Sequence, residues 1–275
     1  MRRSIYFMTG FFCVCIVLCA TYFGPLLIHW DPVSTSLSNR FIEPEGFQKG
    51  LKGHILGTDQ LGRDVLIRLL IGGRYYLRVA LAAVIMQTII AMVLGIVSGY
   101  FGKWVDSVIM RACDAVMAIP ALIMAIAVMA VLGPSERNLI IVLTVSGWVQ
   151  LCKVTRNSVS ILKNQEFVYA SKALGARGPH IMFSQIYPNT TTNMIIISSQ
   201  RIGVMILLES ALSFLNLGIP APAPSWGNMI AAGRSYMTTQ PWLIIAPGTA
   251  LMLTVLSFNF LGDGIRDVLD TKRKV

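Results

Sequence analysis

Apolar residues fall in long blocks along the chain, separated by shorter polar stretches. A helix needs about 20 residues to cross ~30 Å of hydrocarbon. Six blocks qualify, near 5–28, 77–101, 108–132, 138–155, 190–214 and 242–262, the fourth being the shortest. The pattern predicts an all-α, polytopic membrane protein with six transmembrane helices. The first block follows Met1-Arg2-Arg3-Ser4. It exceeds the ~7–15-residue apolar core of a signal peptide, so it reads as a retained span.

The stretches between blocks carry patterns of their own. GTDQLGRDVLIRLLIGG (57–73) places Leu61, Val65 and Leu69 at i, i+4, i+8, with Arg63, Asp64 and Arg68 elsewhere on the cylinder. The spacing predicts an amphipathic helix, capped by Thr58 or Asp59 and stopped by Gly72-Gly73. It either lies in the outer membrane interface or is a solvated loop helix. In NLGIPAPAPSWGNMIAAGRSYMTTQPW (216–242), Pro220, Pro222 and Pro224 hold the chain extended. Ser225 then caps a short helix to about Tyr236. Trp226 and Trp242 suit a membrane interface. This loop either meets an external partner or pore mouth, or simply connects two spans.

The stretch EFVYASKALGARGPHIMFSQIYPN (166–189) is polar and basic yet helical in pattern. Asn164 is a candidate N-cap, with Glu166 favourable near the positive helix end. Phe167, Ala170 and Leu174 share one face, and Gly175 suits a C′ position. Gly178-Pro179 starts a second helix that Tyr187-Pro188 ends. Ala170, Ser171 and Ala173 keep the surface slim, as docking into a groove of another protein requires. The competing reading is an amphipathic connector lying on the bilayer.

Composition sharpens the class. The chain of 275 residues is 55% hydrophobic and 13% charged, with a formal net charge of +10. Its basic residues sit between apolar blocks, where orientation and anionic lipid account for them better than nucleic acid does. Arg2, Arg3 and Thr271-Lys272-Arg273-Lys274 place both termini in the cytoplasm, and the 166–189 stretch with them. Lys153, Arg156, Lys163, Lys172 and Arg177 agree, Lys163 reading as a solvated charge. Arg40, Lys49, Lys52, Arg63, Arg68 and Arg74 in the expected outer loop oppose the positive-inside rule. Cys13, Cys15, Cys19, Cys113 and Cys152 lack metal-ligand spacing and read as small buried hydrophobes.

Catalytic patterns are missing. No GxxxxGK[ST] phosphate loop, HExxH, GxSxG or strand-to-helix GxGxxG occurs, and His29, His54 and His180 are dispersed. Four charges lie inside spans. A charge at the bilayer centre costs at least ~2.5–3.5 kcal/mol, so such residues face a bundle interior or an aqueous cavity. Arg111 and Asp114, at i and i+3, either neutralise each other or border a pathway. Arg201 and Glu209 are ~12 Å apart along a helix and ~80° around it. Each therefore needs its own partner, in a translocation pathway or a structural network.

Tyr169-Ala170-Ser171-x3-Gly175-x10-Ile186-Tyr187-Pro188 resembles the Glu-Ala-Ala loop of ABC importer permeases. Tyr169 stands where that motif usually has Glu, Ser171 replaces the second Ala, and Tyr187 replaces a Leu; Glu166 lies one turn earlier. LGTDQLGRDVLIRLL (56–70), ESALSFLNLG (209–218), PSWGNMIAAGRSYMTTQPWLIIAPG (224–248) and FNFLGDGIRDVLD (258–270) narrow the likeness. They resemble the second permease subunit of the dipeptide, oligopeptide and nickel importers.

The resemblance implies a type I ABC importer permease fold. An N-terminal helix and outer loop (1–75) would precede a five-helix domain (76–275) with a coupling hairpin at about 164–188. Glu166, Tyr169, Ala170, Ser171, Gly175, Ile186 and Pro188 would couple to ATPases. Asp59, Arg63, Asp64 and Trp226 would form an outer interface, and Arg111, Asp114, Arg201 and Glu209 are candidates for the pathway. Implied partners are a second homologous permease, two cytoplasmic ATPase subunits that use ATP and Mg, and an extracytoplasmic binding protein. The chain itself would bind no cofactor and sit in the inner membrane. Peptides are the first substrate expectation, and nickel or a metal–chelator complex the second. A stand-alone ion-coupled carrier would use Asp114 and Glu209 as relays, and a membrane enzyme would need a catalytic cluster.

Overall fold

A computed structural model describes residues 2–269 except 29, 47, 49, 51 and 52. His29, Lys49, Lys52 and the basic C-terminal residues 271–274 lie outside the described residues, as do the side chains of Arg2 and Arg3. The helices are α1 (Arg2–Leu27), α2 (Val65–Phe101), α3 (Lys103–Met117), α4 (Ala121–Leu132), α5 (Glu136–Leu162), α6 (Glu166–Ala173), α7 (Gly178–Ile181), α8 (Tyr187–Phe214), α9 (Trp226–Gly233) and α10 (Trp242–Leu269).

Five segments cross a membrane by length and apolarity: Phe7–Leu27, Val65–Phe101, Glu136–Leu162, Gly178–Phe214 and Trp242–Leu269. Together α3 and α4 have the length and apolarity of a sixth segment, as a broken span or a re-entrant loop. The block expected as one span over 108–132 forms α3 and α4, bent 83° at the break between them. Pro120 ends the first piece, because it has no N–H for a continuing helical ladder, and it becomes the N-cap of α4.

The helix expected over 57–73 begins only at Val65, and residues 57–64 form a loop. Gly57 and Gly62 adopt positive φ of 75° and 72°, and Thr58 pairs with Asp64 in an isolated antiparallel bridge. Asp64 supplies the cap instead, accepting from the Ile67 N–H at 2.9 Å. Helix α2 then runs unbroken through Gly72-Gly73, so the boundary expected near residue 75 falls inside it. Those two glycines do not stop the helix; their missing side chains leave room for Trp226 and Thr21.

Helix α2 is the central post. Glycines 95 and 99 bring it against α5: a Cβ on Gly99 would meet the Arg156 carbonyl oxygen at 2.8 Å. Small residues at such crossings give close van der Waals packing, the main attraction between helices in lipid. Near the loop end, Tyr76, Leu77, Ala80 and Ala83 of α2 form a core with Ala125, Met129, Leu139, Leu143 and Ile206. A second core near the hairpin joins Ala91, Cys113, Leu151, Cys152 and Met194. Cys113 and Cys152 are free and buried, whereas Cys19 is exposed.

The arginines that oppose the positive-inside pattern have internal partners. Arg63 Nε donates to Asp59 at 2.7 Å, and Arg68 Nη1 to the Pro32 carbonyl at 2.7 Å. Arg74 donates to the carbonyls of Thr21 and Tyr22 near the end of α1. The Thr21 carbonyl would take the N–H of residue 25, but Pro25 inside α1 has none, so that oxygen is free for a cation.

Candidate functional site

The stretch between α5 and α8 folds into a hairpin. Helix α6 starts at Glu166 with Gln165 as its N-cap and no side-chain cap bond. The expected cap Asn164 instead donates to the Ser160 carbonyl at 3.1 Å, finishing α5. Gly175, at φ +85°, turns the chain. The Gly175 N–H donates to Lys172 O and the Ala176 N–H to Ser171 O, both at 3.0 Å. This pair of bonds is a Schellman closure, which satisfies carbonyls left free at the helix end.

The second arm does not stop at Tyr187-Pro188. Gly178–Phe214 is one continuous helix of 37 residues, with a π turn at Met182–Ile186. Pro188 has no N–H for the Ser184 carbonyl, and the widened turn absorbs that loss. The two arms are joined where the chain has Ser171: Gln185 Nε2 donates to its hydroxyl. Val168, Ile181 and Ile186 turn inward and pack on Val159, Ile96 and Tyr100.

Other apolar residues of the hairpin stay open, Phe183 and Tyr187 beside an apolar groove with Met92, Val93 and Ile96 of α2. Leu174 is 90% exposed and Phe183 74%. Phe167, Tyr169 and Tyr187 are also exposed, and Lys172 lies over the Tyr169 ring at 5.6 Å. Glu166 and Ala170 share this open surface. Lys163 is not a solvated charge. Its ammonium donates to the Gly99 carbonyl at 2.8 Å, pinning the end of α5 to the last turn of α2.

Charged pairs ring the hairpin end of the bundle. Asp114 pairs with Lys153 at 2.8 Å and not with Arg111, which is exposed and has no ion pair among the described residues. Asp106 takes both Arg156, at 2.5 Å, and the Ser98 hydroxyl, at 2.6 Å. The short α3 is thereby strapped to α2 and α5.

Arg201 and Glu209 have separate surroundings. Arg201 donates to Gln150 Oε1 at 2.8 Å and to the Gly147 carbonyl at 3.0 Å, while its Nε has no partner. Glu209 is fully buried rather than open to a pathway. Its Oε1 accepts from the Ser213 hydroxyl at 3.0 Å, and its Oε2 has no hydrogen-bond partner.

At the opposite end, Asp59 accepts from the N–H groups of Leu61 and Arg63 and lies 3.6 Å from Arg68 Nε. Asp64 is buried and 2.9 Å from His54 Nδ1, whose ring stacks on Trp30. A cleft of 370 Å³ opens here between Asp59, Arg63 and Arg68 on one side and Pro220, Pro222 and Asn228 on the other. The proline run turns at 221–223 instead of running extended. Ser225 caps α9 as the sequence predicts, accepting from Asn228 N–H at 3.2 Å. Trp226 is a core residue and not an interface anchor. It is 2% exposed, donates to Leu69 O at 2.7 Å and stacks on Tyr76. Sequence spacing missed Tyr76, whose hydroxyl oxygen accepts from the Gly227 N–H of α9 at 2.7 Å. Among the described residues no cluster of three His, Cys, Asp or Glu side chains could hold a metal ion.

A bundle of five or six crossings with a stiff hairpin projecting from one end defines a polytopic membrane transport subunit. Residues 91–275 match the family model of the binding-protein-dependent transport system inner membrane component, and the chain belongs to that family. It is 35% identical to the dipeptide transport system permease protein of Alkalihalophilus pseudofirmus, over 100% of this chain and 88% of the relative. The oligopeptide transport system permease protein of Bacillus subtilis is 35% identical, over 96% of this chain and 85% of that one. The glutathione transport system permease protein of Pectobacterium atrosepticum is 33% identical, over 100% and 89%. The chain is a multi-pass permease subunit of an ABC importer.

Proposed function

We propose that this permease forms half of a pathway for di- or oligopeptides and that its hairpin receives the work of ATP-hydrolysing subunits. The other half comes from a second, homologous permease. Two cytoplasmic ATPases use ATP and Mg, and an extracytoplasmic binding protein delivers the peptide. The hairpin and both termini are cytoplasmic, and the Asp59–Asp64 loop faces outward. The first crossing and outer loop, through Asp64, precede the remaining crossings, which begin with α2 at Val65. The relatives' names carry peptides, which favours that substrate over nickel or a metal chelate.

One observation carries the coupling role. Gly178–Phe214 has 37 residues, or about 55 Å of helix at ~1.5 Å per residue. The hydrocarbon is only ~30 Å thick. About 25 Å must therefore stand outside it. The ion pairs Asp106–Arg156 and Asp114–Lys153 lie toward the hairpin, which marks that end of the bundle as one that reaches water. Leu174, 90% exposed at the turn beyond these pairs, is the most exposed apolar residue of the hairpin. It suits a groove in a soluble partner.

The test uses the assembled importer in proteoliposomes. Leu174→Asp should abolish ATP-driven dipeptide uptake and leave the binding protein's peptide affinity unchanged. Normal uptake at wild-type subunit levels would sink the coupling role.

A further inference from the structure

Two faces of α8 remain open, and they differ in chemistry. One borders a 520 Å³ groove shared with α2 and lined by Leu81, Val84, Ile85, Ile89, Ile195 and Ile202 among others. Its hydroxyls Thr88 and Ser198 bond each other at 2.8 Å, so this face suits lipid or an apolar helix. The other face carries Asn193, Gln200 and Arg201 of α8, with Gln150 of α5 and Asn259 and Asp263 of α10 beside it, all exposed or half-exposed. Polar groups at membrane depth face water or protein rather than lipid.

The α3–α4 break lies toward the same end of α5. Asp114–Lys153 sets α3 against α5, and the break at 118–120 follows about one turn later. Gln150 and Gly147, the partners of Arg201, lie one to two turns inward from Lys153 on α5. Residues 117–123 are all exposed. Non-helical backbone at membrane depth persists only where protein covers it or water reaches it. The break and the polar face each require water or protein against them.

Arg201 stands out on that face. It lies at the middle of α8, and both acceptors that hold it are neutral. Among the described residues it has no carboxylate partner. The bond to Gln150 lies at the exposed surface. Its two neighbours fix the plane of the guanidinium without neutralising it. A planar fork fixed in this way suits a carboxylate.

We propose that Arg201 receives a carboxylate of the peptide as it crosses the membrane. This rests on the peptide-permease reading above. Every unmodified peptide has a C-terminal carboxylate, whatever its side chains, so one fixed cation serves varied sequences. Contact during the crossing is transient, and the neutral acceptors hold Arg201 in place between substrates.

The experiment compares a free-acid tripeptide with its C-terminal amide in proteoliposomes of the complete importer. Each peptide is presented at saturating levels of loaded binding protein, and assembly is read by co-purification of the subunits. Arg201→Gln should lower free-acid uptake roughly ten- to a hundredfold, the range of one hydrogen bond to a charged group. Amide uptake should hardly change, and Arg201→Lys should restore part of the free-acid rate. An equal fall for both peptides would assign Arg201 to a carboxylate of another subunit and overturn the proposal. So would unchanged uptake of both. If the wild-type importer moves neither peptide, the peptide reading itself fails, a result distinct from either.

Discussion

The rings of Trp226 and Tyr76 lie stacked, with centroids 4.9 Å apart and planes 22° from parallel. This contact ties α9, which follows the proline run, to α2, which holds the bundle together. Trp226 also donates to Leu69 O, and Tyr76 receives the Gly227 N–H, so two hydrogen bonds fix the stack's register. Trp226→Ala removes the ring and leaves a cavity over Gly72 and Gly73. It should cost about 3–5 kcal/mol. The check is thermal unfolding in detergent followed by limited proteolysis of the 216–242 loop. Trp226→Phe should recover most of the packing and lose only the bond to Leu69 O. Equal stability of Trp226→Ala and wild type would remove α9 from the core.

Asp106 and Arg156 should couple energetically. The pair is partly exposed, at 18% and 34% of the side chains, so solvent screening keeps its worth to about 1 kcal/mol or less. Asp106→Asn and Arg156→Gln each lose it, and the double variant should be no worse than the more damaging single. Ser98 remains bonded only while residue 106 can accept, so Asp106→Ala should cost more than Asp106→Asn. A double-mutant cycle on stability in detergent reads both. Strict additivity would mean that α3 is held by apolar packing alone.

The blocks of apolar sequence show where helices lie, because span length is set by the bilayer. They show less well where helices begin, break and end. Asp64 outcompetes Thr58 and Asp59 as a cap because two glycines upstream take positive φ. That choice depends on backbone geometry and leaves little periodic trace. The 83° bend at Pro120 could be suspected from the proline, yet the residues around it are apolar enough to read as one span. The hairpin's turn was legible, since Gly175 has a distinctive role. Its second arm was not, because a π turn lets Pro188 sit inside a continuous helix. Partners across the fold, such as Lys153 for Asp114 and Gly99 for Lys163, depend on which helices meet, and sequence spacing along one helix cannot supply them.

The two ends of the bundle should be distinguishable by labelling. In a background without the five native cysteines, Gln60→Cys should react with an impermeant thiol reagent in intact cells. Leu174→Cys, on the most exposed hairpin residue, should react only after permeabilisation. The reverse pattern would invert the orientation proposed for the hairpin and exchange the cytoplasmic and outer sites.

Substitution of Gly175 should separate backbone strain from bulk. No heavy atom lies within 4 Å of where its Cβ would be, so a side chain there meets no clash in this subunit. The obstacle is φ of +85°, a conformation that costs a β-branched residue about 1–2 kcal/mol or more. Asn tolerates positive φ far better. Gly175→Asn should therefore keep most transport, although it adds more atoms than Ala does. Gly175→Val should lose the Schellman closure, swing Leu174 off its position and uncouple ATP hydrolysis from uptake. The subunit should still insert, because no membrane crossing depends on this turn. The measurement is peptide uptake per ATP hydrolysed in the complete importer, for Asn, Ala and Val at position 175. A ranking by side-chain volume, with Asn worse than Ala and close to Val, would show that a partner's surface and not backbone geometry limits this site. Full activity of Gly175→Val would make the hairpin a passive connector.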